Sequence, residues 1–413
     1  MRSPAEAARE ILDHVTPLPA QMLPIADSLG RVLAENVVSP IDVPPWDNSA
    51  MDGYAVASEY FEGVSAPVDL KIVEEVAAGR FPTRRPGLGE CTRIFTGAPI
   101  PEGTDSVIRQ EDVTVLENSV VRVNDMRDVG RNVRRSGEDI EREDVVLSQG
   151  TELGPAQIGV LASIARSEVA VHRAPTVAIL ASGDEIVGLD RADEIIAGKK
   201  IASSNSYTLR ANIELTRAKV LDVGIARDDR TDTAAKLSQA TAADVIVTSA
   251  GVSVGDHDYV RTVMEEMGAQ MHFWRIAMRP GAPVGFGIIA GKPWLGLPGN
   301  PVSTMVTFEL FVRPLIRRLQ GHRAPFRRSV PVTLAEPIDL APPLTHFLRG
   351  IVRQDADGLN VRLTGSQGSG ILTSMVQANS LLIVPRDKRN RNAGQVVQAI
   401  MLDDSIHVEH PPF

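Results

Sequence analysis

The sequence predicts a multidomain protein of the α/β plus β class. It comprises a three-layer α/β domain with a mainly parallel sheet, a β-rich second domain, an N-terminal helix/linker region and a C-terminal β-barrel-like domain. Three observations carry this reading. A chain of 413 residues is too long for a single hydrophobic core. Between Pro175 and Gln320 apolar runs alternate with helical patterns, as in a parallel sheet covered by helices. After Arg327, short strand-like runs recur at regular intervals, as in a barrel or sandwich. The expected domains are 1–42 with 137–171 (helix/linker), 43–136 (β-rich), 172–326 (α/β) and 327–413 (β-barrel).

Ser3-Pro4-Ala5-Glu6 has the form of a capping box with proline at the first helical position, and Ala8, Ile11, Leu12 and Val15 follow on one face. From Pro40 to Asp52 the composition shifts to Pro, Asp, Trp and small residues, a loop entering a new region. Val68 to Val73 and Ser119 to Val123 read as strands, and Pro155 to Ala165 as a short helix. In the α/β region, Thr176 to Ala181, Lys219 to Gly224 and Val245 to Val247 are strands. Ser206–Arg217 and Thr231–Ala243 are helices, and a further helix closes at Gly268. Trp294-Leu-Gly-Leu leads through Pro298-Gly-Asn-Pro301 into a long helix reaching Gln320, with Pro314 expected to bend it. The later strands are Val330 to Leu334, His346 to Val352, Leu359 to Leu363, Leu381 to Val384 and Gln395 to Ile400.

Composition narrows the function. A content of 43% hydrophobic and 23% charged residues is that of an ordinary soluble protein. A net charge of −9 argues against nucleic-acid binding, which needs a basic footprint. The basic clusters at Arg131 with Arg134-Arg135, Arg317-Arg318 and Arg386 to Arg391 read as solvated faces. One cysteine, Cys91, excludes an internal disulfide and a Cys-rich zinc site, and its strand-like surroundings mark it as a small core residue. No apolar stretch reaches the length of a transmembrane segment and no signal-peptide core is present, so a cytoplasmic location is expected.

The loops carry the chemistry. Asp184-Glu185, Asp228-Asp229 and Asp256/Asp258 each follow a predicted strand. In a parallel sheet such strand ends share one rim, where convergent carboxylates and open backbone fit Mg²⁺ holding a phosphorylated ligand. The competing structural reading is that these acids cap the helices that follow. Met278-Arg-Pro-Gly-Ala-Pro283 and Leu297-Pro-Gly-Asn-Pro301 are stiff Pro-Gly loops, and with Arg275 and Arg279 beside them they suit an oxyanion. Asp47 to Ala55 and Phe95 to Pro101 are polar loops that periodicity does not explain. Gly-x-Gly-x-x-Gly after a strand, a Walker Gly-Lys-Ser/Thr, His-Glu-x-x-His and Gly-x-Ser-x-Gly are all absent.

Taken together these loops resemble the molybdopterin molybdenumtransferase family, which includes MoeA and the E domain of gephyrin. The resemblance rests on six motifs in family order: Asp47-Asn-Ser-Ala-Met-Asp-Gly-Tyr-Ala55, Thr96-Gly-Ala-Pro, Arg135-Ser-Gly-Glu-Asp139, Ser182-Gly-Asp-Glu185, Ser253-Val-Gly-Asp and Leu297-Pro-Gly-Asn-Pro-Val-Ser303. It implies four domains and a homodimer whose active site lies between the α/β domain of one subunit and the β-rich domain of the other. The implied reaction is Mg²⁺-dependent: adenylylated molybdopterin is cleaved, AMP leaves and molybdate enters the dithiolene. Molybdopterin adenylyltransferase would act upstream.

By the same resemblance Asp52, Thr96 and Asp139 match active-site positions, and Glu185, Asp228 and Asp258 match acidic positions that hold metal and phosphate. Ser253, Arg279, Ser303, Arg349 and Ser369 lie where the family receives molybdate, Arg275 adds charge, and Pro298 and Pro301 shape the pocket. The chain departs from the family in three places. Arg275 and Arg279 replace lysines, Ala282 replaces the second lysine of Lys-Pro-Gly-Lys-Pro, and Ala250 replaces the first glycine of Ser-Gly-Gly-Val. The loss at Ala282 removes one charge-assisted contact, about 1.5–3 kcal/mol. The family also contains dimeric scaffolds that bind peptide tails of partner proteins, for example in cell division, which forms the alternative to catalysis.

Overall fold

The computed structural model describes residues 1–250, 259–340, 343–355, 358–388 and 390–402. The chain divides into two compact units, one formed by 1–21, 30–34 and 171–413, the other by 22–29 and 35–170.

The larger unit opens with helix α1 (Pro4–Asp13). Its capping box is formed as the sequence predicts: Glu6 N–H donates to Ser3 Oγ at 3.3 Å and Ser3 N–H to Glu6 Oε2 at 2.7 Å. Next come β1 (Thr176–Ser182), α2 (Ser204–Leu215), β2 (Lys219–Ala226), α3 (Arg230–Ala240), β3 (Val245–Ser249), α4 (Tyr259–Glu266), β4 (Gln270–Phe273), β5 (Gly285–Ile289), β6 (Lys292–Leu297) and α5 (Pro301–Thr307). The six strands form one sheet in the order β2-β1-β3-β6-β5-β4.

Alternation along the strands builds three layers. Val177, Ile179, Val245, Val247, Leu295 and Leu297 face one core with Leu209 and Ile213 of α2 and Ala7 and Ile11 of α1. Ala178, Leu180, Ile246 and Trp294 face the opposite core with Leu237 of α3 and Val263 and Met264 of α4. The mainly parallel expectation holds for β2, β1, β3 and β6, whereas β5 and β4 close the sheet as an antiparallel ribbon.

Pro314 does not simply bend a long α-helix. A π-helical turn, Phe308–Val312, separates α5 from the following helix Arg313–Leu319. The wider turn falls where the proline ring would crowd the Leu310 carbonyl and where its missing N–H breaks the α pattern.

The C-terminal strands are β7 (Ser329–Leu334), β8 (Thr345–Asp355), β9 (Gly358–Leu363), β10 (Ser380–Val384) and β11 (Val396–Met401). They close as β8-β9-β7-β11-β10 and back to β8, a five-stranded barrel around Leu348, Val352, Val361, Leu382 and Val397. Closure leaves these five strands without an edge.

In the smaller unit a six-stranded sheet runs in the order 106–109, 53–56, 90–94, 68–76, 120–123, 113–115. Tyr54, Leu70, Cys91, Ile108 and Val121 fill one face, and Ala55, Val76, Ile94 and Val107 the other. Cys91 is a buried core residue, and burial, with a smaller contribution from Glu90, pushes its thiol pKa up to about 12. Among the described residues no helix is long and apolar enough to cross a membrane.

Candidate functional site

At the carboxyl ends of β1, β3 and β6 lies a cavity of about 660 Å³. Ser182 and Glu185 follow β1, Ser249 and Ala250 end β3, and Pro298 to Pro301 follow β6. Pro283 adds the second Pro-Gly loop and Gly370 a loop of the barrel. Of the residues picked from sequence, the cavity therefore brings together Glu185, Pro298 and Pro301. Ser303 is buried on the first turn of α5, and Thr307 Oγ1 donates to its carbonyl at 2.7 Å. Ser253 and Asp258 lie outside the described residues, as do Asp256 and His257.

The acids of the rim divide between the two readings made from sequence. Asp229 caps α3, its Oδ1 accepting from Asp232 N–H at 2.8 Å. Asp184 and Asp228 cross-link the ends of β1 and β2: Asp228 N–H donates to Asp184 Oδ1 at 3.2 Å, and Asp184 N–H to Asp228 Oδ2 at 3.4 Å. Asp228 keeps its other oxygen, so with Glu185 it offers hard carboxylate donors of the type Mg²⁺ accepts. Among the described residues no three His, Cys, Asp or Glu side chains form a metal cluster; the third acid picked from sequence is Asp258.

The Pro298-to-Pro301 loop is held from several sides. Thr304 Oγ1 donates to Pro298 O at 2.6 Å, Asn205 Nδ2 to Gly299 O at 2.8 Å, and Ala250 N–H to Leu297 O at 3.1 Å. Asn205 was not singled out from sequence. It lines the cavity with a buried Oδ1 that has no hydrogen-bond partner. Its only sequence signal is the Ser-Ser-Asn-Ser run that starts α2. Ala250 adopts φ +67°, the left-handed region that favours glycine, and a Cβ placed on Gly299 would meet its methyl at 3.3 Å.

The barrel contributes a buried cation whose partners adjoin this loop system. Arg349, on β8, is 0% exposed and has no carboxylate partner among the described residues. Its Nε donates to Ser374 Oγ at 3.1 Å and its Nη2 to Gly368 O at 3.0 Å, while the buried Nη1 has no partner. Burial lowers its pKa from the usual guanidinium value. The segment it holds carries Ser369, whose Oγ accepts from Asn300 Nδ2 at 3.1 Å and whose carbonyl accepts from Val302 N–H at 3.1 Å. Arg275 and Arg279 are both exposed. The Met278–Arg279 segment pairs with β8 at Thr345 and His346, and Arg275 has no ion-pair partner among the described residues.

The smaller unit holds the remaining residues. Thr96 donates twice to Asp52 Oδ1, from its N–H and its Oγ1, both at 2.8 Å. These two bonds, with Arg93 nearby, hold the Asp52 carboxyl below its ordinary pKa. Arg135 and Ser136 N–H bind Asp47 at 2.6 and 2.8 Å, which fastens the Asp47–Ala55 loop to the Arg135–Asp139 motif. Asp139 is exposed, its N–H donating to Val43 O at 3.0 Å.

Three family models match successive parts of the chain: the MoeA N-terminal region (domains I and II) over 2–165, a probable molybdopterin-binding domain over 178–318, and the MoeA C-terminal region (domain IV) over 331–402. The molybdopterin molybdenumtransferase of Haemophilus influenzae is 36% identical over 95% of this chain and 96% of its own length. That of Staphylococcus aureus is 31% identical over 96% and 95%. Two crystal structures of MoeA molybdopterin-biosynthesis proteins from Pyrococcus horikoshii superpose over nearly the whole chain. One is 32% identical with a TM-score of 0.80, covering 98% of this chain and 99% of its own. The other is 27% identical with a TM-score of 0.83, covering 97% and 100%. This chain belongs to the molybdopterin molybdenumtransferase family.

Proposed function

We propose that the protein inserts molybdenum into molybdopterin in the cytoplasm, taking adenylylated molybdopterin and molybdate and releasing AMP with Mg²⁺. The observation that carries this is Arg349. A buried guanidinium with no carboxylate and one unpartnered nitrogen is costly unless an anion meets it. An oxyanion bridging it to Ser369 and the Pro298–Pro301 loop would satisfy that nitrogen, and Ser303 and the cations of Arg275 and Arg279 would complete the site, with Ser253 beside them.

Glu185, Asp228 and Asp258 would hold Mg²⁺, which would neutralise phosphate charge as the adenylyl bond breaks. Asn205 and the open backbone of the rim would orient the substrate. Asp52, held ionised by Thr96, would complete the site from a partner subunit together with Asp139. This gives a homodimer of four-domain subunits, with molybdopterin adenylyltransferase as the source of substrate. The shared name of the full-length relatives supports catalysis over the peptide-binding scaffold.

The test is direct. Purified protein with adenylylated molybdopterin, molybdate and Mg²⁺ should yield cofactor able to activate an apo-molybdoenzyme, with AMP released. It should also rescue molybdoenzyme activity in a strain lacking this step. No cofactor at any molybdate concentration would sink the reading and return the scaffold.

A further inference from the structure

Two large aromatic side chains stand exposed in the smaller unit, on segments that adjoin Thr96. Trp46 is 39% exposed and Phe81 60%, yet their rings hold an edge-to-face contact with centroids 4.9 Å apart. Trp46 stands one residue before the Asp47–Ala55 motif, and Phe81 belongs to no motif.

Both are fixed through the backbone around them. The Trp46 carbonyl accepts from Asn48 Nδ2 at 3.3 Å, and Ile100 N–H donates to Asp47 O at 2.9 Å. Gly97 N–H donates to Ser49 O at 2.8 Å, so the segment after Trp46 runs along the segment after Thr96. Phe81 follows the turn that leaves the sheet at Val76, whose carbonyl accepts from Phe95 N–H at 3.3 Å. Two residues on, Glu74 clamps the chain by accepting from Thr83 N–H and Oγ1 at 3.0 and 2.6 Å. The two rings are thus carried by the two segments that flank Phe95-Thr96.

The charges around them divide. Arg135 holds Asp47 at 2.6 Å, Arg85 holds Glu102 at 3.2 Å, and Arg93 lies 3.8 Å from Glu75 and donates to the Tyr54 hydroxyl. Arg80 and Arg84, either side of Phe81, have no ion-pair partner among the described residues. Both bonds from Thr96 fall on Asp52 Oδ1, so Oδ2 has no hydrogen bond among the described residues.

We propose that Trp46 and Phe81 form the platform that takes the pterin ring of the substrate. The flat heterocycle stacks on the indole, and the Phe81 ring walls one side. The ring's amino edge is a donor of the kind Asp52 Oδ2 accepts, and its carbonyl is an acceptor of the kind Arg80 donates to. Adenine has no carbonyl to offer there. Size excludes a protein partner. An aromatic side chain carries roughly 150–250 Å², so the exposed parts of these two come to about 200 Å². A stable protein interface takes about 800 Å² from each partner. Naming the ring a pterin rests on the function proposed above.

The experiment is calorimetric titration of the full chain with adenylylated molybdopterin, without molybdate so that no turnover occurs. Neopterin, which has no phosphate or dithiolene, and AMP are separate probes. Trp46→Ala and Phe81→Ala should each weaken neopterin and the substrate by about fivefold or more, and leave AMP unchanged. Trp46→Phe, which keeps a ring, should bind nearly as the parent does. Unchanged thermal midpoints would establish that the variants are folded. In turnover the alanine variants should raise KM with kcat preserved. Pterin binding indifferent to both alanine variants would overturn the assignment, as would AMP weakened as much as neopterin. A change of oligomeric state with pterin binding intact would overturn it too, making the pair a contact between subunits. Variant-sensitive pterin binding without cofactor synthesis would reject the function alone, while cofactor synthesis with KM unmoved by the variants would reject this platform alone.

Discussion

At Ala250 a single methyl group is set against the backbone conformation around it. Its φ of +67° costs an alanine about 1–2 kcal/mol, and part of that is offset because glycine orders less readily. Ala250→Gly should therefore stabilise the protein by roughly 0.5–1 kcal/mol, read as a higher urea midpoint at unchanged slope. An unchanged or lower midpoint would mean the position is not strained. The same change removes the methyl that faces Gly299 and widens the cavity there. Ala282 is the complementary case, a charge missing beside the same loops. Ala282→Lys should lower the molybdate requirement by about 1.5–3 kcal/mol, roughly tenfold or more in affinity. Cofactor formation measured against molybdate for both forms decides it, and superimposable curves would remove position 282 from the oxyanion site.

At the scale of elements, the helix Arg313–Leu319 and the turn that ends it hold a buried histidine. His322 Nδ1 lies 3.1 Å from Arg317 Nη2, and burial, then Arg317 and Arg313, pushes its pKa down to about 3. The folded value lies below the unfolded one, so the unfolded chain takes up the proton first. The contribution to stability is complete above about pH 6.5 and is lost as pH falls from there toward 3, on the order of 4 kcal/mol by the end. His322→Gln should flatten the stability profile in that window; parallel profiles for the two proteins would contradict it.

Elements whose signals are local were legible in the sequence: the Ser3 cap, the apolar strands at 176 and 245, and the regular strands of the barrel. The ribbon of β4 and β5 was not, because β4 is only four residues long and the glycines of β5 hide its alternation. At Gly285 a Cβ would stand 2.7 Å from the Trp294 ring, a contact made by the fold and invisible in spacing. The π turn before Pro314 belongs to the same class, since a proline announces a break without saying which turn absorbs it. The site was legible where motifs sit on strand ends. Asn205 escaped because ordinary helix-start composition brings it to the cavity.

At the scale of the whole molecule, the residues picked for catalysis belong to different units. Asp52 and Thr96 lie in the smaller, and Glu185, Asp228 and Arg349 in the larger. Each group is ordered within its own unit, Asp52 by the two bonds from Thr96 and Asp228 by the link to Asp184. Substitution of Asp52 removes a surface carboxylate without touching a core, so its effect on activity should be separable from any effect on folding. If two subunits share each site, an Asp52→Ala subunit and a Glu185→Ala subunit fail for different reasons. A heterodimer of the two would then contain one site with both defects and one with neither. Equal mixing with free exchange makes half the dimers mixed, so about a quarter of the parent's cofactor-forming activity should return from two inactive proteins. Native mass spectrometry would establish that the heterodimer has formed. Activity that stays at zero in such a population would show that Asp52 and Glu185 serve a site within one subunit, or none at all.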